Sequence, residues 1–222
     1  MSIAANIEYF NQILTGTGCR LVAVSKTKSP GAIMEAYQAG FKRFGENRVQ
    51  ELKEKHQSLP EDIEWHMIGH LQTKKVKMIA PFVSMIHAVD SIKLASEIDK
   101  HAERNGRTIH CLLQVHIAKE SSKFGFDGEE LLEAVKLGQF DHLEHLKICG
   151  LMGMATFTSD QQLIRSEFKT LKTLFETIRL MPTSDNFEFR EISMGMSNDY
   201  QIAIEEGSTM IRIGSDIFGA RD

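Results

Sequence analysis

Short apolar runs alternate with amphipathic stretches from one end of this chain to the other, and that alternation constrains the fold more than any other feature. The strand-like runs span residues 19–27, 41–45, 64–69, 83–89, 109–117, 146–154, 189–194 and 209–213. Several are apolar almost without interruption, such as Leu21-Val22-Ala23-Val24 and Cys111-Leu112-Leu113. Strands buried on both faces read this way, and parallel sheets are buried on both faces. Helical patterns lie between them, at 30–39, 91–105, 129–138 and 161–179. The first has Ser29 as its N-cap, Pro30 at the first helical position and Gly40 as a stop. In the last, Leu163, Phe168, Leu171, Leu174, Phe175 and Ile178 share a face. A further amphipathic segment, 3–14, precedes the first strand. Eight strands with a helix between each pair predict a (β/α)8 barrel in one domain covering 1–222, with an extra N-terminal helix. An open doubly wound sheet has the same order of elements, but eight repeats without a break favour closure.

A chain of 222 residues with 42% hydrophobic content supplies a sizeable core. Its formal net charge is −4, and no long basic run marks a nucleic-acid surface. The densest cationic stretch, Thr73-Lys74-Lys75-Val76-Lys77, reads as the solvated first turn of a helix. Cys19, Cys111 and Cys149 are odd in number and far apart, with no CxxC pair, so neither a disulfide framework nor a zinc site is indicated. No basic segment with an apolar core opens the chain, and no apolar run approaches the ~20 residues of a membrane span. The expectation is a cytoplasmic protein that engages neither membrane nor nucleic acid.

In a barrel the functional site lies at the C-terminal ends of the strands. Lys26 leaves the apolar run 21–24 at such an end. Desolvation there disfavours the ammonium, and a neutral amine is what attacks an aldehyde. On position alone, a lysine that simply reaches out to the rim is the commoner case. Arg212 sits among Met210, Ile211 and Ile213 and needs a partner, because an unpaired buried charge is costly. A structural ion pair, for example with Glu191 or Glu46, and a ligand role stand level. Gly195-Met196-Ser197 and Gly214-Ser215 are Gly/Ser turns on the last two strands, where barrels often bind phosphate. One such turn is weak evidence, and two on adjacent strands are more specific.

Other residues carry less. His66 and His70 are four apart in one run and share a face if the strand continues, but without a third ligand nearby packing is the simpler reading. His142 and His145 lie near a loop and read as solvated. Met152/Met154 and Met194/Met196 read as fillers of core gaps, or as flanks to a ring.

Taken together these stretches resemble the pyridoxal phosphate homeostasis proteins, relatives of the barrel of bacterial alanine racemase. The matching segments are LVAVSKT (21–27), FGEN (44–47), WHMIGHLQ (65–72), GLMGM (150–154), SMGMSND (193–199) and GSTMIRIGSDIFG (207–219). The resemblance implies that pyridoxal 5'-phosphate (PLP) is held as a Schiff base on Lys26 and that Arg212 faces the pyridine nitrogen. It implies that Ser197, Gly214 and Ser215 bind the phosphate and that Asn47 lines the pocket. No metal site is expected. Lys74 departs from the family, which usually shows asparagine there.

The resemblance favours a cofactor carrier, which buffers PLP or delivers it through transient contact with PLP-dependent enzymes. The alternative is an amino-acid racemase. Racemisation needs a base on each face of the substrate carbon. Lys26 supplies one, and alanine racemase takes the other, a tyrosine, from a second domain of the partner subunit. With the chain ending at Asp222, just past the eighth strand, that domain is expected to be missing, and the protein to be a monomer without efficient turnover. Of Tyr9, Tyr37 and Tyr200, only Tyr200 follows a site loop.

Overall fold

A computed structural model describes residues 2–119 and 124–219. Eight parallel strands close into a barrel in the order in which they occur in the chain. They are β1 (Arg20–Val24), β2 (Arg43–Glu46), β3 (Glu64–Met67), β4 (Met85–Val89), β5 (Ile109–Gln114), β6 (Leu146–Met152), β7 (Phe187–Met196) and β8 (Met210–Ile213). Closure is made by β1 pairing with β8, which sets Val22 opposite Arg212 and Ala23 opposite Ile213.

The helices are α1 (Ile3–Leu14), α2 (Pro30–Gln38), α3 (Val49–Ser58), α4 (Ile92–Arg104), α5 (Gly128–Lys136), α6 (Gln161–Arg179), α7 (Tyr200–Glu205) and α8 (Ser215–Phe218). Their N-termini follow the expected chemistry. Ser29, Ser91, Asp127 and Asp160 each accept a hydrogen bond from a first-turn N–H. The extra helix α1 buries Ile7, Phe10 and Leu14, and Asn6 donates to the Ile217 carbonyl of α8 at 3.0 Å. Most of the buried apolar residues form one layer between strands and helices. A smaller cluster, Ala88, Leu112, Cys149 and Met152, with Met85 packed on it, fills the barrel interior.

The structure departs from the sequence reading in three places. The connection between β3 and β4 is a 3-10 segment, Thr73–Met78, rather than an α-helix. It buries only Val76, too little apolar surface to hold a longer helix, and Pro81 follows within three residues and bars continuation. Secondly, β1, β3, β5 and β6 stop two to three residues before their apolar runs end, because the last residues of those runs turn into the loops of the mouth. This places Lys26 and His70 beyond their strands. Thirdly, β7 is longer at both ends than expected.

Candidate functional site

Lys26 lies two residues past Val24, the end of β1, and is half-buried. The backbone around it is unusually constrained. Thr27 has φ +66°, a conformation costly for a branched residue, by ~1–2 kcal/mol. Its N–H donates to Glu51 Oε1 at 2.6 Å. On the other side of Lys26, the Ser25 carbonyl accepts from Lys55 Nζ at 2.7 Å. Lys55 also donates to Glu46 Oε1 and Glu51 Oε1, each at 2.7 Å, and Ser25 Oγ donates to Glu46 Oε1 at 2.6 Å. The peptides on both sides of Lys26 are thus tied to one buried cation on α3. Burial pushes the Glu46 carboxyl up, against the opposing pull of Lys55 and Ser25, and Glu46 Oε2 has no hydrogen-bond partner among the described residues.

On the β8 side, Gly214 and Ser215 follow Ile213, opposite the end of β1. Ser215 Oγ lies 3.2 Å from Ser197 Oγ, so the two Gly/Ser turns meet as hydroxyl to hydroxyl. The β7 turn is possible only with glycine: Gly195 has φ +96° and a Cβ there would lie 2.5 Å from the Ala203 Cβ. Asp199 braces the turn by accepting from the Met196 N–H at 2.6 Å.

Arg212 is buried in the barrel. It pairs with neither Glu191 nor Glu46. Glu191 is taken by Arg20 and Glu46 by Lys55. Instead Arg212 Nη1 donates to Ser193 Oγ at 2.5 Å and Nη2 to the Gly153 carbonyl at 3.1 Å. Burial pulls its pKa down to about 10, offset in part by the charge of Asp199, so it stays cationic at neutral pH. Two of its five N–H donors are engaged among the described residues.

An open cavity of 390 Å³ occupies the β2–β3–β5–β6 side of the mouth. Asn47, Gly69, His70, Met154 and Met196 line it. The backbone of Asn47 is pressed against Gly69, where a Cβ would meet the Asn47 carbonyl oxygen at 2.5 Å. Of its lining residues, Asn47 directly follows β2, the neighbour of β1, and Met196 directly precedes Ser197. The methionine pairs divide: Met152 and Met194 are buried in the core, whereas Met154 and Met196 are exposed at the mouth.

The two histidines of the β3 run do not share a face. His66 is buried, whereas His70 sits beyond the strand end and contacts Asp90 through Nδ1 at 3.0 Å. At the opposite end of the barrel, His110, Cys149 and Glu188 bring ligand atoms within 4.8 Å of one another. The chemistry there does not favour a cation. Glu188 is paired with Arg190 at 2.9 Å and Lys147 at 3.7 Å, and burial raises the Cys149 thiol to about 11. Lys74, the departure from the family pattern, is exposed. Tyr200 packs on α1, its ring edge-on to Phe10 with centroids 5.5 Å apart, and burial together with the neighbouring Tyr9 raises its pKa. Tyr37 donates to Asp62 at 2.7 Å.

Sequence comparison adds an independent line. The profile of the family described as alanine racemase, N-terminal domain, matches residues 1–222. A pyridoxal phosphate homeostasis protein of Aquifex aeolicus is 38% identical over 208 residues, covering 93% of this chain and 89% of its own. The human protein of that name is 40% identical, covering 91% of this chain and 77% of its own. Among solved structures, PipY of Synechococcus elongatus without PLP superposes with a TM-score of 0.91 at 34% identity, covering 98% of this chain and 100% of its own. The same protein with PLP bound superposes at 0.88 and 35% identity over the same shares.

Proposed function

The chain belongs to the pyridoxal phosphate homeostasis proteins, which share the alanine racemase N-terminal domain, and on that footing we propose that it binds PLP at the barrel mouth, through a Schiff base on Lys26, and serves cofactor homeostasis rather than turnover. The observation that carries the proposal is that β1 and β8, the strands that close the barrel, lead into a half-buried lysine and into a serine hydroxyl 3.2 Å from that of Ser197, while β8 also carries a buried guanidinium. These fit PLP group by group. Lys26 provides an amine for the aldehyde. Ser197 and Ser215, with the N–H groups at the start of α8, provide donors for phosphate oxygens. Gly214 keeps that backbone open, and Asn47 borders the cavity beside the ring. Arg212 keeps donors for the ring nitrogen.

PLP supplies an aldehyde that condenses with amines and a ring that withdraws electrons. How strongly the ring withdraws depends on what faces its nitrogen. Arg212 is cationic and can only donate, so it favours an unprotonated, weakly withdrawing ring. Turnover then depends on well-placed bases. Tyr200, the one tyrosine near a site loop, is packed against Phe10 of α1, and its raised pKa makes it a poorer source of phenolate. This supports a carrier rather than a racemase, and the proposal extends to a monomer that acts in the cytoplasm and meets recipient PLP enzymes transiently. Titration of cofactor-free protein with PLP and with unphosphorylated pyridoxal tests the reading. PLP is expected to bind with a new absorbance band above 400 nm and with higher affinity than pyridoxal. Equal affinity for the two, or no band, contradicts it.

A further inference from the structure

A file of buried polar side chains runs across the barrel interior to Arg212. His66 Nδ1 lies 2.8 Å from His87 Nε2. His87 Nδ1 lies 3.0 Å from Ser193 Oγ, which accepts from Arg212 Nη1 at 2.5 Å. His66 and Arg212 are each 4% exposed, and His87 and Ser193 are fully buried. The file links β3, β4, β7 and β8 through a core otherwise filled by Leu112, Cys149 and Met152.

The direction of the bonds follows from the arginine. A guanidinium only donates, so Ser193 Oγ must accept from it. The hydroxyl hydrogen of Ser193 then needs an acceptor, and His87 Nδ1 is the acceptor within reach. His87 therefore carries its proton on Nε2 and donates to His66 Nδ1. His66 in turn carries its proton on Nε2. The opposite direction would leave a buried hydroxyl hydrogen without a partner, at a cost of about 1–3 kcal/mol. Burial above all, then the charges of Arg43 and Arg20 at His66 and the neighbouring His66 and Arg212 at His87, oppose a second proton on either ring. The file is not a proton path, because it ends on a group that does not give up its proton.

We infer that His87 and His66, acting through Ser193, are positioning residues that hold the Arg212 guanidinium in one orientation toward the cofactor ring, both rings being locked as Nε2–H tautomers. The inference rests on the proposed PLP site for what Arg212 faces, but not for the tautomers. Nitrogen-15 NMR of histidine-labelled protein without PLP reads the tautomers directly, with His87→Gln assigning the His87 signals. Bare Nδ1 and protonated Nε2 on both rings are expected. A proton on Nδ1 of either ring overturns the inference.

The second readout is the spectrum of bound PLP. His87→Leu removes the acceptor, so the absorbance maximum should shift and PLP affinity fall about tenfold, the worth of one hydrogen bond to a charged group. His87→Gln, which offers an acceptor toward Ser193 and a donor toward His66, should restore the wild-type maximum. Ser193→Ala, a smaller change, should shift the maximum as His87→Leu does. If the spectrum of folded Ser193→Ala matches wild type, the positioning role is wrong even where the tautomers are as stated. If wild type fails to bind PLP while the tautomers are found, the site assignment fails and the positioning role falls with it, leaving only the polarity of the file.

Discussion

Replacing Lys55 by methionine removes the one cation that ties both peptides around Lys26. Lys55 has a side chain only 5% exposed, and its partner Glu46 is fully buried. Without Nζ, the Glu46 carboxylate keeps only the Ser25 hydroxyl, at 2.6 Å, and the Ser25 carbonyl and Glu51 each lose a donor. Breaking a buried pair from one side costs about 3–5 kcal/mol. With a urea slope of about 3 kcal/mol/M, toward the upper end for small proteins, this lowers the unfolding midpoint by roughly 1–1.7 M. The loss should depend on pH. Burial already raises the Glu46 pKa above its ordinary value, and losing Lys55 raises it further. A carboxyl whose folded pKa lies above the unfolded one stabilises below the unfolded pKa and loses that contribution as pH rises through the folded pKa. The variant should therefore lose more at pH 8 than at pH 5. Glu46→Gln added to Lys55→Met should recover much of the loss, because no buried charge is then left alone. PLP affinity should fall in Lys55→Met, since Ser25 and Thr27 are no longer tied in place. An unchanged urea midpoint, or a double variant no more stable than Lys55→Met, would refute the reasoning.

Three further outcomes follow from the same geometry. Burial pulls His66 down to about 3 and His87 well below its ordinary value. The unfolded chain therefore binds more protons below pH ~6.5, and stability should fall with pH by about 1.4 kcal/mol per histidine per pH unit between there and the folded values; urea midpoints from pH 7 to 4 check this, and His87→Gln should flatten the curve. Ser197→Ala and Ser215→Ala should each weaken PLP binding by about 1–2 kcal/mol while leaving pyridoxal affinity almost unchanged, so an equal loss for both ligands would remove these hydroxyls from the phosphate site. Alanine incubated with the loaded protein in deuterated buffer should gain Cα deuterium very slowly or not at all by mass spectrometry; rapid incorporation that disappears in Lys26→Ala would favour the racemase reading.

The barrel was legible because its strands are apolar on both faces, a pattern that survives without any knowledge of partners. The positions of Lys26 and the two Gly/Ser turns beyond neighbouring strand ends were legible, because in a barrel the order along the chain fixes which strand ends are neighbours. Lys55 was not, since in Glu51-Leu52-Lys53-Glu54-Lys55 it looks like one charge among several on a solvated helix. A signal did exist: Val49, Leu52, Lys55 and Leu59 follow the three- and four-residue spacing of the buried face. The partners of Arg212 were hidden for a different reason. Ser193, on the neighbouring strand β7, is a small polar residue in an apolar run, Gly153 offers only its backbone carbonyl, and His87, which bonds Ser193, comes from β4 and reaches it only once the barrel closes. Apolar pattern likewise overstated the strands at the mouth, because hydrophobicity does not reveal where the ladder of backbone bonds stops.

The central claim is that Lys26 holds the cofactor. Borohydride treatment of the PLP-loaded protein, followed by peptide mapping by mass spectrometry, tests it most directly. One reduced pyridoxyl-phosphate label is expected, on Lys26, and none in Lys26→Ala. A label on Lys28 or another lysine, or no label on protein that has bound PLP, would contradict it.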